Sequence, residues 1–169
     1  MKLNKNLILT GSPASGKSLI GRILAQKLNL KFFDTDFIIE KKTKMKIAEI
    51  FEKKGENEFR KLEKKITLNL LNKSNSVISL GGGTFINKVI RKVAQKKAIT
   101  IWLHWGPKTL IERIRKNNKR PITKNLSDTE LKDLIISRSK FYSKAKYKIN
   151  CENMDKKEII NKIIEILKI

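Results

Sequence analysis

The chain has 169 residues, 40% of them hydrophobic, enough to bury one core and too few for two ordinary domains. Its lone cysteine, Cys151, excludes an intramolecular disulfide and fits a reducing compartment, and neither a signal-peptide core nor an apolar run of about 18 residues occurs, so a soluble cytoplasmic protein without a membrane partner is expected. Lys and Arg number 39 against 16 Asp and Glu, but the excess is mostly lysine scattered from Lys2 to Lys168, as A/T-rich codon drift would leave it; a nucleic-acid footprint would cluster and interleave aromatic residues, so no such partner is expected.

The first apolar run, "NLILT" (Asn6 to Thr10), has strand length, and Leu19, Ile20, Ile23, Leu24 and Leu28 then recur at helical spacing. Between them "GSPASGKS", Gly11 to Ser18, meets G-x-x-x-x-G-K-[ST] at every fixed position, in the strand-to-helix context that motif requires. Such a loop turns backbone N–H groups and the positive end of a helix towards phosphates. Lys17 is expected to reach the β- and γ-phosphates of ATP and Ser18 to ligate Mg²⁺, with Ala14, Ser15, Gly16 and Leu19 completing the nucleotide contacts.

A second strand, "KFFD" (Lys31 to Asp34), runs into "FFDTDF". In a parallel α/β sheet the carboxyl ends of the strands line the ligand crevice, which puts Asp34 and Asp36 beside the phosphate loop. One could serve the metal and the other an acceptor hydroxyl, or Asp36 could simply cap the helix that follows. Next comes "GENEFRKLE" (Gly55 to Glu63), on a helix that buries Phe59, Leu62, Ile66, Leu70 and Leu71. Its Arg60 either pairs with Glu56 or Glu63 or turns into the crevice, and local spacing does not decide between these.

The strand "SVIS" (Ser76 to Ser79) leads into "SLGGGTF", and three consecutive glycines imply unusual backbone angles or a close approach. After the strand "AITIWLH" (Ala98 to His104), a helix ending near Lys116 is followed by "NNKRPITKNLS", where Pro121 biases Arg120 away from helix. This is either a lid or a plain connection. A helix from near Ser127 carries Arg138 in "ISRSKFY", with the same ambiguity as Arg60, and "KYKIN" (Lys146 to Asn150) is the last strand. Alternating strands and helices predict an α/β fold with a parallel sheet covered on both faces.

Taken in order, "GSPASGKS", "DTD", "FR" with "LE", "SLGGG", "RP" in the lid-like loop and an arginine shortly before "FY" resemble the shikimate kinase family, from about Leu7 to the last helix. The resemblance implies one monomeric domain over residues 1–169 with a three-layer α/β/α P-loop kinase fold. It also implies a five-stranded parallel sheet of order 2-3-1-4-5 and a mobile lid at about 117–127. The implied reaction transfers the γ-phosphate of ATP to the 3-hydroxyl of shikimate, giving shikimate 3-phosphate and ADP with one Mg²⁺, in aromatic amino-acid biosynthesis.

By matching motif, Asp34 stands near Mg²⁺, and Asp36 binds the ring hydroxyls and acts as base or orienting group. Arg60 and Arg138 grip the substrate carboxylate, a use suited to the planar guanidinium fork. Gly81, Gly82 and Gly83 form the floor of the acceptor pocket, with Gly82 closest to the ring, so that Gly82→Val should abolish shikimate binding and spare ATP. Arg120 closes with the lid and, with Lys17 and Asp36, completes the catalytic set; Arg113 reaches the nucleotide. Two departures stand out: Leu19 replaces a frequent threonine, and "NCENMD" lacks the arginine that some members place beside adenine, so that either Asn153 or a neighbour makes that contact or adenine is held loosely. A kinase for gluconate or a nucleoside monophosphate would share Lys17 and Ser18 without needing Arg60, Arg138 and the triple glycine together. A nucleic-acid-binding P-loop protein or a non-catalytic scaffold fits less well still.

Overall fold

The computed structural model describes residues 5–116 and 126–168. Strands β1 (Asn6–Thr10), β2 (Lys31–Asp34), β3 (Ser76–Ser79), β4 (Ala98–His104) and β5 (Tyr147–Asn150) form one parallel sheet of order β2-β3-β1-β4-β5. Four of them coincide residue for residue with the apolar runs of the sequence. The fifth starts one residue late, because the Lys146 N–H is spent on the Thr100 hydroxyl, at 2.8 Å, rather than on the ladder.

The helices are α1 (Lys17–Lys27), α2 (Thr35–Thr43), α3 (Ile47–Leu71), α4 (Lys88–Lys97), α5 (Pro107–Lys116), α6 (Asp128–Tyr142) and α7 (Lys156–Leu167). Alternation along β1 sorts them into layers. Leu7 and Leu9 pack on one face with Leu24 of α1, Leu110 of α5 and Ile160 of α7. Ile8 packs on the other face with Ile39 of α2, Phe59 and Ile66 of α3 and Ala94 of α4. Strands buried on both faces need apolar residues in both registers, which is why the central strands β1, β3 and β4 are rich in apolar residues, while the edge strands β2 and β5 are partly exposed.

Side chains define the helix ends. Asn87 accepts the Val89 and Ile90 N–H groups at the start of α4, while Ser127 with Glu130 and Asp155 with Glu158 form capping boxes on α6 and α7. Helix α3 is broken at Gly55, whose φ of 79° and ψ of 166° are not helical. No helix among the described residues is long and apolar enough to cross a membrane. All five strands point the same way, so the segments that follow Thr10, Asp34, Ser79, His104 and Asn150 meet along one edge of the sheet.

Candidate active site

The loop Gly11–Ser18 joins β1 to α1. Gly11 leaves the strand with φ of 143°, and a side chain there would bring Cβ within 2.8 Å of the Leu103 carbonyl oxygen. Gly16, at φ 86°, caps α1 with no side chain covering the first turn, so the positive end of the helix faces the loop. Lys17 is buried and folds back over this ring: its Nζ donates to Gly11 O at 2.9 Å, Ser12 O at 2.7 Å and Ser15 Oγ at 3.1 Å. The ammonium is therefore held within the loop that a phosphate would enter.

Asp34 does two jobs. Its Oδ1 accepts the N–H groups of Asp36 and Phe37 at 3.0 and 3.2 Å, capping α2, and its Oδ2 accepts the Ser18 hydroxyl at 2.5 Å. The capping role open to Asp36 on sequence grounds thus belongs to Asp34. Ser18 and Asp34 together present two hard oxygen donors, and no group of three or more His, Cys, Asp or Glu that could hold a metal occurs among the described residues. That donor set suits Mg²⁺, which takes one or two protein oxygens and fills its remaining positions with phosphate and water. A cleft of about 250 Å³ opens between the phosphate loop, Asp34, Asp36, Ser79 and Leu80.

The triple glycine forms a packed loop with a different neighbour for each residue. The Gly81 N–H donates to the Thr35 hydroxyl at 2.9 Å, and a Cβ at Gly81 would collide with Asp36 Oδ1. A Cβ at Gly82 would lie 2.9 Å from Pro13 Cδ, and the Gly82 carbonyl accepts the Tyr142 hydroxyl. At Gly83 it would meet the Arg60 guanidinium, 2.6 Å from Nη1. The expectation for Gly82→Val therefore needs correction: the side chain would push on Pro13 of the phosphate loop, so nucleotide binding would not be spared. The N–H of Gly81, on the expected pocket floor, is used within the protein, by Thr35.

Of the two alternatives that the sequence leaves open for Arg60, the structure shows the ion pairs. Arg60 pairs with Glu56 through Nε and Nη2 at 3.1 and 3.0 Å and with Glu63 through Nη1 at 2.8 Å, and it also lies against Gly83. Glu63 is no surface partner: it is 2% exposed, and its second oxygen accepts the Thr84 hydroxyl at 2.7 Å. Burial alone would lower the Arg60 pKa, but the combined charge and hydrogen bonds of Glu63 and Glu56 outweigh it, and the pKa is raised. Three of the five guanidinium N–H donors are used, leaving two for an anion.

Arg138 is half-buried on α6, one turn before Tyr142, and so shares the helix face whose tyrosine reaches Gly82. Arg113 stacks on Trp105, with Cζ 3.6 Å from the ring centroid. Arg120 and residues 117–125 of the expected lid lie outside the described residues. In the β5–α7 loop, Asn153 adopts a left-handed φ of 60°, while its neighbour Glu152 accepts the Gly106 N–H at 2.5 Å and the Thr109 hydroxyl at 3.1 Å. Thr35 and Trp105 were not singled out by sequence reasoning. Thr35 carries a signal, as the middle residue of "DTD"; Trp105, a lone aromatic just past a strand, carries none.

A family model described as shikimate kinase matches residues 13–168. A shikimate kinase from Sulfurihydrogenibium is 37% identical over 164 residues, spanning 97% of this chain and 98% of the relative. Among solved structures, a shikimate kinase from Acinetobacter baumannii in complex with shikimate is similar with a TM-score of 0.93 at 28% identity, covering 99% of this chain and 94% of that one. The shikimate kinase of Aquifex aeolicus is similar with a TM-score of 0.86 at 35% identity, covering 96% of each chain.

Proposed function

Because the chain belongs to the shikimate kinase family, we propose that it transfers the γ-phosphate of ATP to the 3-hydroxyl of shikimate, a step of aromatic amino-acid biosynthesis. The observation that carries this reading is the convergence on one glycine loop of a phosphate-loop residue, a carboxylate and an arginine: Pro13 against Gly82, Asp36 against Gly81 and Arg60 against Gly83. Phosphate donor and hydroxylated, carboxylated acceptor would meet there, with little for the protein to do beyond positioning and charge stabilisation.

In this reading Arg60 offers its two unused donors to the acceptor's carboxylate, while Glu63 and Glu56 fix the guanidinium plane, and Arg138 completes the grip from α6. Asp36 orients the reacting hydroxyl and takes its proton as the oxygen attacks phosphorus. Lys17 exchanges its loop carbonyls for the β- and γ-phosphate oxygens. Ser18 and Asp34 would hold one Mg²⁺, which would supply positive charge against the phosphates of ATP. Arg113 serves the nucleotide and Arg120 the transferring group.

The test is a coupled ADP-release assay with ATP, Mg²⁺ and a panel of shikimate, gluconate and nucleoside monophosphates. Shikimate is expected to be the only efficient acceptor, and Asp36→Asn to lower kcat by at least about a hundredfold with ATP binding retained. ADP release with another acceptor and none with shikimate would overturn the assignment.

A further inference from the structure

We infer that Trp105 is a positioning residue of the nucleotide site, holding the phosphate loop in its anion-binding form from outside while seating Arg113. The inference rests on the nucleotide reading of that loop and adds to it a residue that touches no phosphate. Trp105 is 7% exposed and follows β4, yet it does more than fill core: its indole Nε1–H donates to the Ser15 carbonyl at 3.1 Å.

A trans peptide is planar, so the Ser15 C=O and the Gly16 N–H point in opposite directions. Tying the carbonyl to Trp105 on the outside turns the Gly16 N–H towards the concave side of the loop, where phosphate binds. Gly16 needs this restraint. Its φ is 86°, a left-handed conformation, and glycine has no side chain of its own to help fix the peptide.

The indole is itself braced. Arg113 lies over its face at 3.6 Å, Glu152 holds the adjoining Gly106 N–H, and the Cys151 N–H holds the His104 carbonyl at 2.8 Å. The strand end is thus pinned to the β5–α7 loop on one side and pins the phosphate loop on the other. Because one indole contacts both Ser15 and Arg113, losing it should loosen two parts of the nucleotide site and none of the acceptor site.

The test compares wild type, Trp105→Phe and Trp105→Leu by steady-state kinetics, ADP calorimetry and thermal unfolding. Phenylalanine keeps a ring under Arg113 but has no N–H, and should raise the KM for ATP and the Kd for ADP about fivefold, the scale of one hydrogen bond. The KM for shikimate and kcat should stay within about twofold; leucine, which removes the ring as well, should weaken ADP binding further. Wild-type ADP affinity in Trp105→Phe, or equal loss of ADP and shikimate affinity, would overturn the inference and leave Trp105 as core packing. If Trp105→Leu does not fold, Trp105→Phe decides alone. A folded wild-type protein that bound no ADP would instead refute the nucleotide reading and take this inference with it.

Discussion

Gly83 and Gly82 are adjacent, yet their substitutions should have different consequences because their neighbours differ. A methyl at Gly83 meets the far end of the Arg60 side chain, which can yield, so Gly83→Ala should fold normally and raise the KM for shikimate about tenfold by displacing the guanidinium, with the KM for ATP unchanged. At Gly82 the obstacle is Pro13, whose ring and backbone N cannot swing away. Gly82→Val should therefore raise the KM for both substrates, and selective loss of shikimate would contradict the packing. His104, the only histidine, offers a pH test. Burial first and Lys148 second lower its pKa below 6.5, against weaker opposing contributions from Asn150 and Glu152, and its Nδ1 is buried without a partner. The unfolded chain then takes up a proton before the folded one does, so stability should fall as pH drops below about 6.5. The single histidine resonance should titrate below that value by NMR, and His104→Gln should lessen the fall in Tm between about pH 7.5 and 5.5; a midpoint above 6.5 would contradict this environment.

Among the elements, α3 departs furthest from its sequence pattern. Phe59, Leu62, Ile66 and Leu70 keep helical spacing, and a glycine within such a pattern is ordinarily tolerated, so nothing local reveals that Gly55 breaks the helix. The break follows from three-dimensional requirements: Ile50 and Phe59 both reach the same core, and Arg60 must face the glycine loop while Glu63 lies beneath it. No atom lies within 4 Å of a Cβ built on Gly55, so the effect of Gly55→Ala isolates the backbone. A φ of 79° with ψ of 166° is essentially restricted to glycine, and alanine should cost about 1–3 kcal/mol, read as a lower denaturant midpoint at unchanged m. An unchanged midpoint would mean that the helix can run straight. The central strands were legible for the converse reason: burial on both faces leaves an apolar run with sharp polar edges. The phosphate loop was legible because its chemistry is local in sequence. The division of labour between Asp34 and Asp36 was not, since it depends on which carboxylate Ser18 meets.

At the scale of the molecule, charge is the least balanced property: 39 basic against 16 acidic residues, a net +23. Among the described residues that charge has no single address, for each of the seven α-helices there carries at least two lysines. Several of the ion pairs among the described residues are exposed pairs of neighbouring helical residues, such as Lys61 with Glu58 and Lys162 with Glu165, which contribute little and do not offset the excess. Self-repulsion of this size destabilises the compact state, and salt screens it over a Debye length of about 10 Å at 0.1 M. Two effects of added salt then oppose each other: the weak surface pairs lose strength, while the far more numerous like-charge repulsions relax. Repulsion should dominate, so Tm should rise by several degrees between about 20 and 300 mM NaCl, in contrast to a protein held together by its salt bridges. The same dispersal predicts that any retention on a nucleic-acid matrix at low salt disappears near physiological ionic strength, because scattered lysines release few counterions at any one site. A flat or falling Tm, or retention that survives 150 mM salt, would mean that the lysines act together rather than as a diffuse field.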